Sequence, residues 1–246
     1  MANLEPQASD REHWSRVAQE WIAWARAPDH DAFWAVRRGL AAFVGPGRGA
    51  ALDIGCGEGR VSRELRALGY RVTAADAVTQ MVQAARSADS AHAYAASDAA
   101  ALAFADNSFD LIVAYNVLMD VADVPGSVRE MRRVLRPSGT LAVSIVHPLR
   151  DCGRFEGEGA DAPFVVRDDY LGRRRFEDVE ERAGLRMRFA GWSQPLQDYF
   201  AAFEAAGLAV TSLREPVPDV ESERSAQWRR APLFLWIKAR PLPADA

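Results

Sequence analysis

Short apolar runs alternate with amphipathic segments of helical periodicity through the middle of the chain. Strands separated by helices at this spacing are typical of βαβ units, whose parallel strands are joined by right-handed crossovers. Runs that are apolar along nearly their whole length suit a sheet covered on both faces. The pattern therefore predicts a doubly wound α/β domain. The predicted strands are 50–54, 70–75, 92–96, 109–115 and 140–146, and the helices between them begin near residues 60, 78 and 127.

The flanking segments predict further layers of the same domain. Residues 148–192 are rich in Arg, Asp, Glu and Gly and contain few long apolar runs, so we expect them to leave the sheet and fold over its edge. Helices are predicted at 11–27, 31–43 and 195–206, and strands at 208–213 and 232–238. The predicted units are an N-terminal helical cap (1–47), the first part of the sheet (48–147), an insert (148–192) and the rest of the sheet domain (193–246).

Composition excludes several classes of protein. The chain has 246 residues, 49% of them apolar and 26% charged, which is ordinary globular composition. A net charge of −4 gives no general attraction to nucleic acid or anionic lipid. Cys56 and Cys152 are too few for a disulfide framework. No apolar run reaches the ~20 residues of a membrane span, and the first residues lack the pattern of a signal peptide. We therefore expect a cytoplasmic protein without a nucleic-acid or membrane partner.

A glycine-rich turn follows the first predicted strand, with the string LDIGCGEGR at 52–60. A dinucleotide fingerprint has the form G-x-G-x-x-G. Here Gly59 comes one residue too early, and Arg60 stands where that fingerprint places a glycine. The carboxylates of Asp53 and Glu58 would repel a pyrophosphate but attract a ligand that carries an ammonium and a sulfonium group. The turn therefore favours a cationic adenosine compound over a dinucleotide.

Several spaced segments then resemble the class I S-adenosylmethionine-dependent methyltransferases. The resemblance covers residues 48–147 strongly and 193–240 in strand layout only. It implies a Rossmann-like, seven-stranded, mostly parallel sheet with helices on both faces, an N-terminal helical lid and an insert after the fifth strand. Two segments depart from the family pattern: Ala103 stands where proline is usual, and Ser138 stands where the first glycine is usual. The matching segments are the glycine-rich turn, Asp76 at the end of the second strand, SDA at 97–99, LAFADNSFD at 102–110 and RVLRPSG at 133–139.

The resemblance implies S-adenosylmethionine as cofactor, no metal, and a role for each matching residue. Asp76 would accept hydrogen bonds from both ribose hydroxyls, which an acceptor-only carboxylate suits. Met81 would flank the adenine, while the Asp98 carboxylate and the Ala99 backbone N–H would bind its polar edge. Asp53 would fix the loop amides near the methionine moiety. The implied cofactor set is completed by Gly55, Cys56, Gly57, Ala77 and Tyr115. For Cys56, a small buried residue is the favoured interpretation over a nucleophile.

Two residues at carboxyl ends of strands are candidates for catalysis, and each has a structural alternative. Asp120 follows the fourth strand and is either a general base or, as we favour, a helix N-cap. His147 ends the fifth strand and is either a general base or a hydrogen-bonded residue that fixes the turn before Pro148. A base is dispensable in some methyl transfers, because positioning and desolvation supply much of the catalysis.

The acceptor site is expected between the fourth strand and the lid. Leu118 and Met119 are predicted to form apolar walls, and Trp21 or Trp24 either lines the pocket or belongs to a packing stripe. The run 173–175 is arginine in a strongly acidic neighbourhood, and we expect a solvated face of mixed charge rather than a nucleic-acid site.

The class of methyl acceptor can be narrowed by excluding enzyme classes whose motifs this sequence lacks. No proline-containing string like that of amino methyltransferases follows the fourth strand. Lys238 is the only lysine, which excludes the ribose 2′-O-methyltransferases whose catalytic tetrad contains two lysines. His147 and Pro148 stand where the metal-dependent catechol-type enzymes have an aspartate and an asparagine. The favoured function is methyl transfer to an O, N or C atom of a small molecule, such as a secondary metabolite. A methyltransferase for protein or RNA and a non-catalytic cofactor-binding protein stay as alternatives.

Overall fold

A seven-stranded sheet forms the centre of the computed structural model, which describes residues 6–219 and 221–243. The strand order is β3-β2-β1-β4-β5-β11-β10; the first five strands are parallel, β11 runs antiparallel to β5, and β10 in turn pairs antiparallel with β11. This confirms the predicted Rossmann-like sheet. Its strands are β1 (Ala50–Ile54), β2 (Arg71–Asp76), β3 (Ala93–Ala96), β4 (Phe109–Tyr115), β5 (Leu135–Val146), β10 (Leu208–Arg214) and β11 (Phe234–Pro241).

Helices cover both faces because successive strand residues point to opposite sides of the sheet. Leu52 packs in a core with residues of α6 and α8, whereas its neighbour Ala51 packs in a second core with residues of α3 and α4. The helices are α1 (Pro6–Arg16), α2 (Ala18–Arg26), α3 (Ala32–Val44), α4 (Arg60–Ala67), α5 (Thr79–Ser87), α6 (Val124–Val134), α7 (Pro148–Asp151), α8 (Leu196–Ala205) and α9 (Glu223–Arg230).

Two predicted boundaries are wrong. The single helix predicted at 11–27 is two helices, because Val17 leaves the helical conformation and packs with Trp24 and Met187. The fifth strand, predicted at 140–146, starts at Leu135 instead and has an irregular register against β4. The break between α1 and α2 lets both helices contact the later strand Leu185–Ser193, so it shapes the lid.

The insert is a pair of hairpins. Strands β6 (Gly153–Phe155) and β7 (Phe164–Val166) form one, and β8 (Arg174–Arg182) and β9 (Leu185–Ser193) form the other. The long strand β8 is highly charged and lacks the apolar pattern that predicts a strand. It is held by pairing with β9 and by contacts with the N-terminal helices, which a local sequence pattern does not show. Within the described residues, no helix is both long and apolar enough to cross a membrane.

Candidate active site

A cleft of about 1300 Å³ opens beyond the carboxyl ends of β1, β2 and β4. This is where parallel α/β sheets place their ligands. The sheet side of the cleft carries the glycine-rich turn and the acids that follow the strands. The opposite side is formed by α2, α7, α9 and the two hairpins of the insert. We call the first side the cofactor wall and the second the acceptor wall.

The glycines of the turn are required by geometry. Gly55 and Gly57 have φ angles of 63° and 54°, a region that other residues rarely adopt. A Cβ on Gly55 would lie 2.4 Å from Cγ2 of Val117, and one on Gly57 would lie 2.8 Å from Nε1 of Trp21. Cys56 between them is buried, and burial raises the pKa of its thiol. These positions therefore suit a small, unreactive residue where backbone, lid and ligand approach closely.

Asp53 and Asp76 are carboxyl groups on either side of the turn: Asp53 is fully buried behind it, and Asp76 is half-buried on the cleft. The Ser62 hydroxyl donates to Asp53 at 2.5 Å, and burial raises the pKa of Asp53 to about 7. Asp76 accepts the backbone N–H of Gly57 at 3.0 Å and that of Val78 at 2.8 Å, one on each oxygen. Burial raises the pKa of Asp76 to about 6. Since a carboxylate oxygen has two lone pairs, each oxygen of Asp76 can accept one more donor, as a vicinal diol requires.

The remaining cofactor candidates lie along the same wall. Asp98 lines the cleft and accepts the backbone N–H of Ala100 at 2.8 Å. Ala77, Met81 and Ala99 also line it. The structure therefore brings the predicted cofactor residues to one wall of one cleft, with the exception of Asp53, which is buried behind the turn and does not line the cleft.

Glu58 corrects the charge argument made from the sequence. Its carboxylate is 1% exposed and accepts from Arg63 at 2.7 Å and from Arg26 at 3.3 Å. Its charge is therefore compensated, and the expectation that Glu58 presents a free negative charge to the ligand is wrong. Arg26 belongs to α2, so the same ion pair fastens the lid to the glycine-rich turn.

The residues after β4 divide between core and cleft. Tyr115 lines the cleft, and its buried hydroxyl has no hydrogen-bond partner among the described residues. Met119 also lines the cleft. Leu118 is fully buried in the core shared with α6 and α8. The prediction that Leu118 forms a wall of the acceptor site is therefore wrong, because its side chain points away from the cleft.

Both lid tryptophans line the cleft and pack at the same time. Trp21 lies under the Arg60 guanidinium, at 4.9 Å from the ring centroid, and Arg60 pairs with Asp31 at 2.6 Å. Trp24 is 3% exposed and packs edge-on against His30 at 4.3 Å. The two interpretations left open for these tryptophans are thus compatible.

Asp120 does not cap a helix. The cap of α6 is Asp123, whose carboxylate accepts the backbone N–H of Gly126 at 2.8 Å. Asp120 instead lines the cleft and forms no side-chain hydrogen bond with a described residue. Burial raises its pKa well above the usual value, and the charges of Asp10 and Asp76 raise it further. The favoured cap interpretation is therefore wrong, and the general-base interpretation has the geometry it needs.

His147 is placed for structure rather than for catalysis. Its Nδ1 accepts the backbone N–H of Leu149 at 3.1 Å, and its Nε2 lies 3.3 Å from Oε1 of Glu215. Burial lowers the pKa of the ring. Val146 and Arg150 line the cleft, but His147 between them does not. The expectation that His147 faces the acceptor is therefore wrong; it caps α7 at the exit from β5.

Sequence reasoning missed the charged residues of the acceptor wall. Asp10 accepts from Nε1 of Trp192 at 2.9 Å and pairs with Arg175. Arg174 lies 3.5 Å from Asp168. The arginine run is thus partly built into the cleft, and the expectation of a simple solvated face is wrong. Because these partners are distant in sequence, no local pattern could have revealed them.

Asp151 was also missed. It lies at the end of α7 on the cleft, and burial raises its pKa to about 7. Within the described part of the chain, no three His, Cys, Asp or Glu side chains are grouped as metal ligands.

Comparison with known proteins agrees with this geometry. Residues 52–143 match the family described as "Methyltransferase domain". Residues 52–143 therefore form a methyltransferase domain, and the sheet that contains them has the class I S-adenosylmethionine-dependent methyltransferase fold. An S-adenosylmethionine-dependent methyltransferase from Mesorhizobium loti has the same fold, with a TM-score of 0.66, 24% identity, and coverage of 86% of this chain and 99% of that one.

Two curated relatives match this methyltransferase domain and its surroundings. A malonyl-[acyl-carrier protein] O-methyltransferase from Erwinia pyrifoliae is 41% identical over 162 residues, which is 64% of this chain and 60% of the relative. A demethylmenaquinone methyltransferase from Roseiflexus is 37% identical over 114 residues, which is 41% of this chain and 48% of the relative. The matches therefore span less than two thirds of each relative's length.

Proposed function

We propose that this protein transfers a methyl group from S-adenosylmethionine to an O, N or C atom of a small-molecule acceptor. The observation that carries the proposal is one cleft with the cofactor residues on one wall and an unpartnered carboxyl group, Asp120, beside them. The curated relatives support a small methyl-accepting group, since their names refer to a malonyl group on acyl-carrier protein and to demethylmenaquinone. A cytoplasmic location belongs to the same proposal, because Cys56 and Cys152 are both unpaired.

The cofactor wall fits S-adenosylmethionine by the chemistry of its groups. When bound, S-adenosylmethionine supplies an electrophilic methyl group on a positively charged sulfur. Asp76 would accept the ribose hydroxyls with its remaining lone pairs, and Asp98 with Ala99 would bind the polar edge of the adenine. Asp53 holds α4 through Ser62 beneath the glycine-rich turn and so helps to fix the position of the turn.

Asp120 is the proposed general base. A hydroxyl or amine acceptor must lose a proton as its atom gains the methyl group, and a carboxylate within hydrogen-bond reach can take that proton. Burial raises the pKa of Asp120 and brings it nearer to the operating pH. Trp21, Met119 and Phe234 line the same cleft and help to exclude water from the site of transfer.

The geometry favours this function over the two alternatives. The lid and the insert close over the cleft through Trp21 and the β8–β9 hairpin, which suits a small acceptor better than a protein or an RNA. The Asp120 carboxyl favours catalysis over binding alone, since it faces the cleft and no described residue bonds to it, so it is free to act on a bound acceptor.

Calorimetry tests the proposal directly. S-adenosylhomocysteine and NADH are titrated separately into the wild type, Asp76→Ala and Asp106→Ala. Asp106 is a matched control, since its carboxylate is 67% exposed and outside the cleft. We expect micromolar binding of S-adenosylhomocysteine that Asp76→Ala loses and Asp106→Ala keeps, followed by methyl transfer in a screen of small acceptors. No binding of S-adenosylhomocysteine, or a preference for NADH, would overturn the proposal.

A further inference from the structure

Arg150 is an arginine on the acceptor wall that nothing in the proposed chemistry uses. It lies in α7, directly after β5, and lines the cleft. Its guanidinium stacks against two aromatic rings of the β6–β7 hairpin, at 5.0 Å from the centroid of Phe155 and 5.5 Å from that of Phe164. The rings lie 5.1 Å apart and hold each other in place. The guanidinium is therefore fixed in direction before any ligand binds.

This guanidinium forms no ion pair with a described residue. Its Nε and Nη1 are shielded from solvent and have no hydrogen-bond partner among the described residues. Burial lowers the pKa of Arg150; the charge of Asp151 acts against that shift, and the charge of Arg224 adds to it. A partly buried cation whose donors are not hydrogen-bonded is costly to fold, so a ligand that supplies an anion would be favoured.

Four other arginines of the cleft differ from Arg150 in this respect. They hold acids of the protein itself, in the pairs Arg60–Asp31, Arg175–Asp10, Arg174–Asp168 and Arg167–Glu156. Unlike these four, Arg150 combines shielded, unbonded guanidinium nitrogens with two stacked rings. Glu158 and Glu223 also line the acceptor wall, but both are exposed to solvent and neither pairs with Arg150 among the described residues. The acceptor wall therefore offers a preformed site for one more negative group.

We propose that Arg150 binds an anionic group, a carboxylate or a phosphate, carried by the methyl acceptor. The five N–H donors of a guanidinium match the oxygens of either group, and the stacked rings keep the donors oriented. Phe155 and Trp228 on the same wall would contact an apolar or aromatic body next to that group. This inference rests on the proposed function, since it names the class of acceptor for the same cleft.

Binding of matched probes tests the site. Phenylacetate, phenyl phosphate and neutral phenylacetamide are titrated by calorimetry into the protein, with and without S-adenosylhomocysteine. We expect at least one anionic probe to bind about tenfold or more tightly than the amide. The carboxylate and phosphate arms show which anion the site prefers. Equal affinity for the amide, or no binding of any probe, would overturn the inference.

Three variants assign the binding to Arg150. Arg150→Met should weaken the preferred anionic probe about tenfold or more and leave the amide and S-adenosylhomocysteine unchanged, while Arg150→Lys restores part of the loss. Arg186→Met removes the same charge from an exposed position on β9 and should change nothing. Retained binding of S-adenosylhomocysteine shows that each variant is folded. If Arg150→Met keeps its affinity for the anion, the inference fails although the proposed function stands. If S-adenosylhomocysteine does not bind but the anion does so through Arg150, the proposed function fails instead.

Discussion

The two walls of the cleft are held together in different ways. On the cofactor wall, the contacts that fix the acids are local and often involve the backbone: Gly57 and Asp76 are 19 positions apart, and Ser62 and Asp53 are 9 apart. On the acceptor wall, Asp10 bonds to Arg175 and Trp192 across 165 and 182 positions. The turn and Asp76 on the first wall belong to one βαβ unit, whereas the second wall exists only when distant segments meet.

This difference determines how each wall should respond to mutation. A turn with fixed φ angles fails when one residue receives a side chain, because its backbone has no alternative conformation. A wall made of charged side chains loses one interaction at a time, since each pair contributes separately to stability. We therefore expect single substitutions to have larger effects on the cofactor wall than on the acceptor wall.

The largest expected effect is that of Gly55→Ala. Alanine at position 55 would have to adopt the left-handed conformation, at φ 63°, and its Cβ would lie 2.4 Å from Val117. Strain and overpacking together should lower the free energy of unfolding by about 3 kcal/mol and abolish binding of S-adenosylhomocysteine. Gly207→Ala is the matched control, because its φ of 67° is similar but nothing lies within 4 Å of the new Cβ. It should cost only about 1 kcal/mol. Equal losses in urea unfolding would show that the contact with Val117 is unimportant.

The next largest effect concerns Asp120 and His147, the two candidates for general base at the carboxyl ends of strands. Asp120→Asn should lower the rate of methyl transfer about 100-fold, because general-base catalysis is lost. His147→Asn should leave the rate nearly unchanged, since His147 lies off the cleft and is held by Leu149 and Glu215.

The pH dependence of the rate also tests Asp120 as the general base. A carboxylate base acts when deprotonated, so activity should be present above the pKa of Asp120 and lost as pH falls through it. Burial, helped by Asp10 and Asp76, raises that pKa, which moves the acidic limb of the rate profile to higher pH than for an ordinary aspartate. The acidic limb of the rate profile should be absent in Asp120→Asn. If it is absent in His147→Asn instead, His147 is the general base.

The same contrast explains what could be predicted from sequence. The sheet, the glycine-rich turn and the acids Asp76 and Asp98 follow from local periodicity and motif spacing, and the structure places the turn and both acids on one wall. Leu118 was assigned to the cleft and Asp120 to a helix cap because the direction of a side chain after a strand depends on the next turn, which a sequence pattern does not specify. Asp10 and Arg150 were missed because a single charged residue carries no signal until its partners fold around it.

The smallest effect tests the acceptor wall, through a double-mutant cycle of Asp10→Ala and Arg175→Ala. The Asp10 side chain is only 7% exposed and also accepts from Trp192, so the pair is screened less than a surface ion pair. The coupling in the free energy of unfolding should be about 2 kcal/mol. Glu181 and Arg186, 3.6 Å apart on the exposed end of the same hairpin, should show no measurable coupling.

Binding of S-adenosylhomocysteine decides whether the walls are independent. Both Asp10→Ala and Arg175→Ala should keep the affinity of the wild type, because the cofactor wall is fixed by its own backbone contacts and by Arg26 on Glu58. A loss of affinity equal to the loss of stability would instead mean that α1 and β8 hold the cofactor residues in place. The two walls would then form one cooperative unit, and an acceptor bound at Arg150 would change the affinity for the cofactor as well.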